Sequence, residues 1–221
     1  MSNSIPMRLS FDIDAICENP KADLYEKELE KIKVQKDYER YIHSGVPVKF
    51  FGSSLDTYIA ETEEQKKNIA IVKGFAQDPQ NKILLLCGEN GNGKSHLLCG
   101  IIRICGGEYI TSSQLCVEYE AATSYHAKRT REEILKHYTT VSMLVIDECG
   151  KYTVNEKLEQ FILANVFNTR YENDLATGAA TNADKKSFIE FIGKSFYDRC
   201  TEVCTTLDFT GISKRQTRRT I

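Results

Sequence analysis

Three features that this sequence lacks narrow the kind of protein it encodes. No apolar run is long enough to cross a bilayer, and no hydrophobic signal region follows Met1. None of the eight cysteines forms a C-x-x-C pair, the spacing of many zinc and redox sites. The formal net charge of −2 supplies no general attraction for nucleic acid. We therefore expect no membrane segment, and any DNA-binding surface is expected to be a local patch.

The cysteines indicate a reducing compartment. Four of them lie inside apolar runs, namely Cys87, Cys99, Cys105 and Cys116. Buried free thiols are the usual case in such runs. A further pair, Cys200 and Cys204, has C-x-x-x-C spacing without a nearby histidine, which is not typical of a zinc site. Because free thiols persist under reducing conditions, we expect a cytoplasmic protein.

Length and composition favour one domain with an appendage. The chain has 221 residues, of which 41% are hydrophobic and 27% charged, as in an ordinary soluble globular protein. Residues 43–47, H-S-G-V-P, form a cluster of helix breakers and mark a boundary. We predict a helical N-terminal extension over residues 1–45, which is a candidate partner-docking segment, and a main domain over residues 46–221.

The predicted extension carries a charged helical pattern. Within residues 21–41, Tyr25, Leu29 and Ile32 recur at helical spacing among alternating lysines and glutamates. This narrow apolar stripe fits a solvated helix packed on its own domain. It fits a docking helix for a partner protein equally well, and the sequence leaves both interpretations open.

The centre of the sequence is a phosphate-loop motif. Residues 87–95, C-G-E-N-G-N-G-K-S, match G-x-x-x-x-G-K-[ST] at every fixed position. The apolar residues 83–87 predict a buried strand before the motif, and an apolar helical pattern over residues 97–102 follows it. Since a chance glycine-rich turn would lack these flanks, we interpret the motif as a nucleotide site.

Each residue type in this loop suits the binding of a triphosphate. Gly88, Gly91 and Gly93 allow positive φ angles, so that successive backbone N–H groups form an anion-binding nest. The helix that follows adds its positive N-terminal end. Lys94 is expected to reach the β- and γ-phosphates of ATP, and the Ser95 hydroxyl to ligate Mg²⁺. The predicted nucleotide-binding residues are Gly88, Glu89, Asn90, Gly91, Asn92, Gly93, Lys94, Ser95 and His96.

A second motif is a pair of acids at the end of an apolar strand. Residues 142–148, S-M-L-V-I-D-E, end in Asp147 and Glu148. In an open α/β sheet the carboxyl ends of the strands border the ligand crevice. Asp147 is therefore predicted to hold Mg²⁺ together with Ser95, and Glu148 to orient and deprotonate an attacking water. A strand that simply runs into solvent is the alternative, and the upstream phosphate loop favours the functional interpretation.

Strand and helix patterns alternate along the chain. Strands are predicted at residues 83–87, 108–111, 142–148, 176–181 and 202–209. Helical patterns between them predict an α/β fold, with a parallel five-stranded sheet flanked by helices on both faces. The aromatic-rich segment before the sheet, which includes Phe50 and Tyr58, is predicted to form a loop beside the nucleotide base.

In order and spacing, these motifs resemble those of a known group of ATPases. Residues 88–95, 143–150 (M-L-V-I-D-E-C-G), 170–173 (R-Y-E-N), 181–182 (T-N) and 197–200 (Y-D-R-C) are similar to motifs of the DnaC/DnaI helicase-loader and IstB group of AAA+ ATPases. The resemblance covers about residues 45–219. It implies ATP hydrolysis with Mg²⁺, self-association into an open ring or spiral, single-stranded DNA in the pore, and delivery of a replicative helicase onto DNA.

The resemblance also implies roles outside the two main motifs. Asn182 resembles sensor 1, which would hydrogen-bond to the γ-phosphate or the attacking water. Arg199 resembles the arginine finger, which would act on ATP held by a neighbouring subunit. Arg215 resembles a sensor 2-like position, but Lys214 stands where an aromatic residue is common, so Arg218 remains an alternative. Like the group, the chain is expected to have no C-terminal lid domain.

Basic and aromatic residues supply the predicted DNA contacts. Lys128, Arg129 and Arg131 lie between the second and third strands, in a segment that faces the pore in this group. Arg170 and Tyr171 would add a cation and a stacking ring. Phosphate pairing with base stacking suits single-stranded DNA bound without sequence preference. Short basic clusters are also typical of solvated surfaces.

The predicted function is ATP-dependent loading of a replicative helicase onto single-stranded DNA by a ring or spiral oligomer. An IstB-like transposition helper is an alternative that would share the core but bind double-stranded DNA and a transposase. A nucleotide-gated adaptor with secondary hydrolysis is another. A small-molecule kinase is disfavoured, since no lid with catalytic arginines follows the fold and Glu148 suits hydrolysis better than transfer.

Overall fold

The computed structural model describes residues 20–152 and 154–210, apart from the side chains of residues 20–24, 26, 195, 199 and 200. The chain divides into two units between Tyr38 and Glu39. Helix α1 (Pro20–His43) makes up the described part of the first unit and ends in the second. The domain boundary near residue 45 stays a prediction. No helix in the described ranges is both long and apolar enough to span a membrane.

The apolar stripe of α1 is exposed. Tyr25, Leu29 and Ile32 present 65%, 49% and 53% of their surface to solvent. Apolar side chains of this size usually gain about 1.5–3 kcal/mol each when they are buried. The exposed stripe therefore leaves the interpretation of α1 as a docking helix open.

The second unit is an α/β domain. Its strands are β1 (Ile83–Cys87), β2 (Glu108–Thr111), β3 (Met143–Cys149), β4 (Ala176–Thr181) and β5 (Cys204–Asp208). Its helices are α2 (Glu63–Gln77), α3 (Lys94–Cys105), α4 (Ser112–Ala121), α5 (Arg131–Thr140), α6 (Glu156–Glu172), α7 (Lys185–Ile192) and α8 (Lys194–Cys200). The strands form one parallel sheet in the order β2-β3-β4-β1-β5. The predicted five-stranded parallel sheet is confirmed.

The sheet is buried on both faces because its strands are apolar at successive positions. In β1, the side chains of Leu84 and Leu86 lie on one face of the sheet, and those of Ile83 and Leu85 lie on the other. The first face is covered by α2 and α3, and the second by α4 to α8. Burial on both faces is typical of parallel sheets and explains the continuous apolar runs in the sequence.

The parallel arrangement brings the predicted motifs to one edge of the sheet. Strand β4 lies between β1 and β3 in the sheet. The phosphate loop follows β1, the acidic pair lies at the end of β3, and Asn182 follows β4. Because the carboxyl ends of parallel strands share one edge, all three segments border the same crevice.

Arg170 is a buried structural residue. It lies on α6 with no exposed surface. Its Nε donates to Oγ1 of Thr177 (2.9 Å), and its Nη1 donates to the carbonyl oxygens of Tyr138 (2.9 Å) and Val141 (2.7 Å). Its Nη2 donates to the carbonyl oxygen of Ala176 (2.5 Å). Burial lowers the pKa of Arg170 to about 10. Because this value is still well above neutral pH, the guanidinium stays charged. Because the guanidinium is enclosed by these acceptors, the predicted DNA contact at Arg170 is wrong.

Replacing Arg170 with alanine is expected to lower the free energy of unfolding by about 3–5 kcal/mol. The variant would leave four acceptors without their donor and a cavity in place of the side chain. Urea unfolding followed by circular dichroism measures the loss. Arg129→Ala is the matched control, because it removes the same side chain from an exposed position and should leave the midpoint unchanged. An unaltered midpoint in Arg170→Ala would contradict the structural role.

Candidate functional site

A cavity of about 550 Å³ lies at the carboxyl ends of β1, β3 and β4. This volume is usual for a small-molecule site. The lining comes from the phosphate loop, the acids of β3, the residues around the end of β4, and the segment before α2. The lining residues are Lys49, Phe50, Thr57, Tyr58, Ile59, Glu61, Asn90, Gly91, Gly93, Lys94, Ser95, His96, Asp147, Glu148, Ala180, Thr181 and Asn182.

The phosphate loop has the backbone geometry that its glycines predict. Gly88, Gly91 and Gly93 have φ angles of +118°, +90° and +89°. At Gly88 a β-carbon would lie 2.2 Å from the carbonyl oxygen of Phe209, so a larger residue does not fit. Helix α3 begins directly after Gly93, and within the described residues no side chain caps its first turn. The N–H groups at this helix start are therefore suited to an anionic ligand.

Lys94 places its charge inside the loop. Its side chain is buried, and Nζ donates to the carbonyl oxygens of Gly88 (2.5 Å) and Glu89 (2.6 Å). Lys94 also lines the cavity, so the residue that holds the loop backbone borders the space that a ligand would occupy.

The predicted nucleotide-binding residues divide into two groups. Six of the nine line the cavity: Asn90, Gly91, Gly93, Lys94, Ser95 and His96. The other three, Gly88, Glu89 and Asn92, do not line it. Asn92 instead anchors the loop, because its Nδ2 donates to the carbonyl oxygen of Phe209 (2.9 Å).

Asp147 is held from two sides in the buried end of β3. It is 3% exposed, and its Oδ2 accepts a hydrogen bond from Oη of Tyr109 (2.7 Å). Its Oδ1 accepts from the N–H of Glu148 (2.8 Å). Ser95 lines the same cavity, so the two predicted Mg²⁺ ligands border one space. A carboxylate and a hydroxyl are oxygen ligands of the kind that Mg²⁺ prefers.

Glu148 has a strained backbone. Its φ angle of +59° lies in the left-handed region. That region costs a residue other than glycine about 1–2 kcal/mol. The pairing of β3 with β4 shifts register between Ile146 and Cys149, which is the signature of a β-bulge. Glu148 lines the cavity, and its carboxylate accepts a hydrogen bond from Nζ of Lys151 (3.0 Å). Strain of this kind is typical of functional positions.

Asn182 presents an unpaired donor at the cavity. Its Nδ2 is buried and has no hydrogen-bond partner in the described part of the chain. Such a donor costs about 1–3 kcal/mol when nothing satisfies it. The neighbouring Thr181 is fixed, because its Oγ1 donates to the carbonyl oxygen of Cys149 (2.9 Å) and accepts from the N–H of Ala183 (3.1 Å). Asn182 therefore fits a residue that donates to an anionic ligand or to a water.

The segment before α2 supplies an aromatic wall. Phe50 and Tyr58 line the cavity. Tyr58 packs on Gly93, where a β-carbon would lie 2.6 Å from the tyrosine ring. Burial raises the pKa of Tyr58 to about 12, so its hydroxyl stays protonated at neutral pH. Nε2 of His96 lies 2.9 Å from the carbonyl oxygen of Ser54, which joins the segment to α3. An aromatic wall of this kind suits the stacking of a base.

Sequence reasoning missed a buried carboxylate that holds the segment after Glu148. Glu159, on α6, is almost fully buried. Its Oε1 accepts from the N–H of Gly150 (2.9 Å) and from the hydroxyl of Ser112, and its Oε2 accepts from the N–H of Tyr152 (2.9 Å). These bonds tie the segment after Glu148 to α6.

Two predicted arginines cannot be placed against the cavity. Arg199 belongs to α8, but its side chain lies outside the described residues. Arg215 lies outside the described residues altogether. Their roles stay predictions.

The remaining predicted DNA contacts differ in exposure. Lys128 and Arg129 are exposed in the loop between α4 and α5. The guanidinium of Arg131 lies 4.8 Å from the ring centroid of Tyr119. Tyr171 is half-buried against the core. Tyr125 was not predicted, yet it is 98% exposed in the same loop as Lys128.

Comparison by sequence finds helicase loaders. The chain is 27% identical over 180 residues to the replicative helicase loader DnaC of Buchnera aphidicola (subspecies Acyrthosiphon pisum), covering 78% of this chain and 72% of that protein. It is 24% identical over 180 residues to DnaC of Escherichia coli K12, covering 79% and 72%. No protein-family model matches the chain.

Comparison by structure finds the same fold. The crystal structure of the DnaC helicase loader matches with a TM-score of 0.64 and 17% identity, covering 74% of this chain and all of that one. DnaI matches with a TM-score of 0.60 and 18% identity, covering 76% and 94%. The replication initiator DnaA bound to AMPPCP and single-stranded DNA matches with a TM-score of 0.57 and 17% identity, covering 76% and 51%.

Proposed function

We propose that this chain, a distant homologue within the DnaC/DnaI helicase-loader group of AAA+ ATPases, uses ATP to load a replicative helicase onto single-stranded DNA. The observation that carries the proposal is the meeting of Lys94, Asp147, Glu148 and Asn182 at one cavity. These residue types are those needed to bind and hydrolyse a nucleoside triphosphate. Helicase loading is the activity named for the relatives in sequence.

ATP and Mg²⁺ fit the residues of the cavity. The uncapped start of α3 and the ammonium of Lys94 favour the phosphates, and the DnaA relative in structure is bound to the ATP analogue AMPPCP. Ser95 and Asp147 would hold Mg²⁺, which neutralises charge on the transferred phosphoryl group. Phe50 and Tyr58 would contact the base. The unpaired Nδ2 of Asn182 would donate to the γ-phosphate or to the attacking water.

Glu148 would act as the base for the attacking water. Glu148 lines the cavity beside Asp147, and the bulge in β3 fixes the position of its backbone. Nζ of Lys151 lies 3.0 Å from the Glu148 carboxylate. This ion pair would open when Glu148 takes a proton from the water. Glu159 holds the segment that follows and keeps the bulge in place.

Hydrolysis would depend on self-association into a ring or spiral. In this proposal Arg199, on α8, completes the site of a neighbouring copy. The relatives found by sequence are helicase loaders, so the proposed partner is a helicase. The exposed apolar stripe of α1 would be a surface on which this partner could bind.

Single-stranded DNA would contact the loop between α4 and α5. Lys128 and Arg129 are exposed there and would pair with phosphates. Tyr125, with 98% of its surface exposed, would offer a ring on which a base can stack. The DnaA relative in structure is bound to single-stranded DNA.

A loading assay on circular single-stranded DNA tests the function. A circle without free ends can enter a closed ring helicase only if the ring opens, so retention of the helicase on the circle reports loading. We expect the replicative helicase from the same genome to be retained on the circle only with this protein and ATP. Lys94→Ala is the control and should fail to load. Equal retention without the protein, or with Lys94→Ala, would contradict the proposal.

Lys128→Ala with Arg129→Ala is expected to weaken single-stranded DNA binding and its salt dependence. Each lost phosphate contact should reduce the slope of log affinity against log salt by about 0.7. Fluorescence anisotropy of a labelled oligo-dT at several salt concentrations measures both quantities. The matched control is Lys66→Ala with Lys67→Ala, which removes two exposed cations from α2. If the salt dependence of the affinity were equal for the two double variants, the loop would not be part of the DNA-binding surface.

A further inference from the structure

The side chain of Tyr109 connects the edge of the sheet to Asp147. Tyr109 lies on β2, the outer strand beside β3. It pairs with Val145 of β3, so Asp147 stands two positions further along on the same face. The ring spans this diagonal, and its hydroxyl donates to Oδ2 of Asp147 over 2.7 Å.

The hydroxyl of Tyr109 is a fixed donor. Tyr109 is buried, so water does not compete with Asp147 for this hydrogen bond. With the N–H of Glu148 on Oδ1, each oxygen of the Asp147 carboxylate has one fixed donor. Two such donors set the rotation of the carboxylate.

The backbone of Tyr109 is itself held by the turn after α1. Its N–H donates to the carbonyl oxygen of Ser44 (2.7 Å). Gly45 has a φ angle of +84°, and a β-carbon there would lie 2.3 Å from the carbonyl oxygen of Tyr109. Glycine thus lets the turn approach and cover the free edge of β2. Tyr109 has little freedom to move away from Asp147.

We propose that Tyr109 is a positioning residue of the Mg²⁺ site, whose hydroxyl orients Asp147 towards the metal. Tyr109 does not line the cavity, so it acts through Asp147. The inference rests on the proposed function, because it requires that Asp147 binds Mg²⁺ with ATP. Groups that orient metal ligands in this way typically contribute 10- to 100-fold in metal affinity.

Tyr109→Phe is expected to weaken the binding of Mg²⁺. The Mg²⁺ concentration at which half of the Mg²⁺-dependent gain in ATP affinity is reached should rise about 10- to 100-fold. Affinity for ATP in EDTA should not change, because phenylalanine keeps the ring and Lys94 is untouched. Titration of a fluorescent ATP analogue on the full chain at increasing Mg²⁺ measures both. The unfolding temperature without nucleotide is recorded beside it.

Tyr138→Phe is the matched control. Tyr138 is also buried, and its hydroxyl donates to a carboxylate oxygen of Glu118 (3.0 Å). Each variant loses one bond from a tyrosine to a carboxylate, so a merely structural role predicts similar losses in unfolding temperature and no change in Mg²⁺ dependence. An unchanged Mg²⁺ dependence in Tyr109→Phe, or an equal shift in Tyr138→Phe, would overturn the inference.

Two further measurements separate the possible failures. Replacing Tyr109 with 4-aminophenylalanine keeps a donor at the same place and should preserve the wild-type Mg²⁺ dependence. This variant tests the inference even if Tyr109→Phe folds poorly. A shift in Mg²⁺ dependence as large as that expected for Tyr109→Phe would overturn the inference. In wild type, a complete lack of Mg²⁺-dependent ATP binding would overturn the proposed function as well. Normal wild-type binding with no effect of Tyr109→Phe would overturn the inference alone.

Discussion

Glu148→Gln should slow ATP hydrolysis by about 10²- to 10⁴-fold while ATP stays bound. The amide keeps the length of the side chain but cannot take a proton from water. Lys94 and Asp147 are unchanged, so the contacts proposed for the phosphates and the metal remain. Steady-state phosphate release gives kcat, and a fluorescent ATP analogue gives the dissociation constant.

The matched control for Glu148→Gln is Glu190→Gln, which makes the same chemical change at an exposed position on α7. It should leave both kcat and ATP affinity unchanged. Wild-type turnover in Glu148→Gln would exclude Glu148 as the base. A large loss of ATP affinity alongside turnover would place Glu148 in the metal site instead.

The backbone at Glu148 supports a role in the chemistry. Its φ angle of +59° is one that glycine adopts freely. Holding a glutamate in this conformation costs about 1–2 kcal/mol of folding free energy. The exposed end of the side chain bonds only to Lys151 among the contacts of the described residues, so packing does not account for the choice of residue. The proposed reaction would explain a carboxylate kept at a strained position beside the cavity.

The phosphate loop and the acidic pair could be predicted because their signals are local. Strand, glycine loop and helix follow one another without interruption, and the periodicity of each part predicts its structure. The site then assembles from the topology alone, since parallel strands end at one edge. For the same reason Asn182, which directly follows β4, lines the cavity, and its role as sensor 1 stays a prediction.

Tyr109 could not be predicted from its own neighbourhood. Its contact with Asp147 depends on the pairing of β2 with β3 and on the order of strands in the sheet. Both are set by packing between segments far apart in the chain. A short strand such as β2 gives no sign of which strand it joins.

Arg170 shows a different kind of error, because the sequence did contain its signal. On α6 the buried residues recur at helical spacing as Glu159, Ile162, Leu163, Val166, Phe167 and Arg170. The two charged residues occupy the ends of this apolar stripe, three or four positions from a buried neighbour. Charge alone suggested a surface position for Arg170, whereas its place in the helical period predicts burial. Glu159 could have been found by the same rule.

Arg199→Ala is the prediction with the largest expected effect. A lost arginine finger should lower ATP turnover by about 10³- to 10⁵-fold. ATP affinity should be retained, because the arginine would act on the site of a neighbouring copy. The matched control is Lys194→Ala, which removes an exposed cation from the start of the same helix, α8, and should not change turnover.

Mixing two inactive variants distinguishes a contribution between subunits from one within a subunit. Arg199→Ala keeps Glu148, and Glu148→Gln keeps Arg199, so an interface between the two chains can be complete even though each chain is defective. In an equal, random mixture about one interface in four would pair an intact site with an intact arginine, because head-to-tail contacts use different surfaces of the two partners. We therefore expect the mixture to recover about a quarter of wild-type turnover per chain, and to lose it on dilution. A mixture as inactive as its parts, formed under conditions in which wild type assembles, would show that Arg199 does not act across the interface.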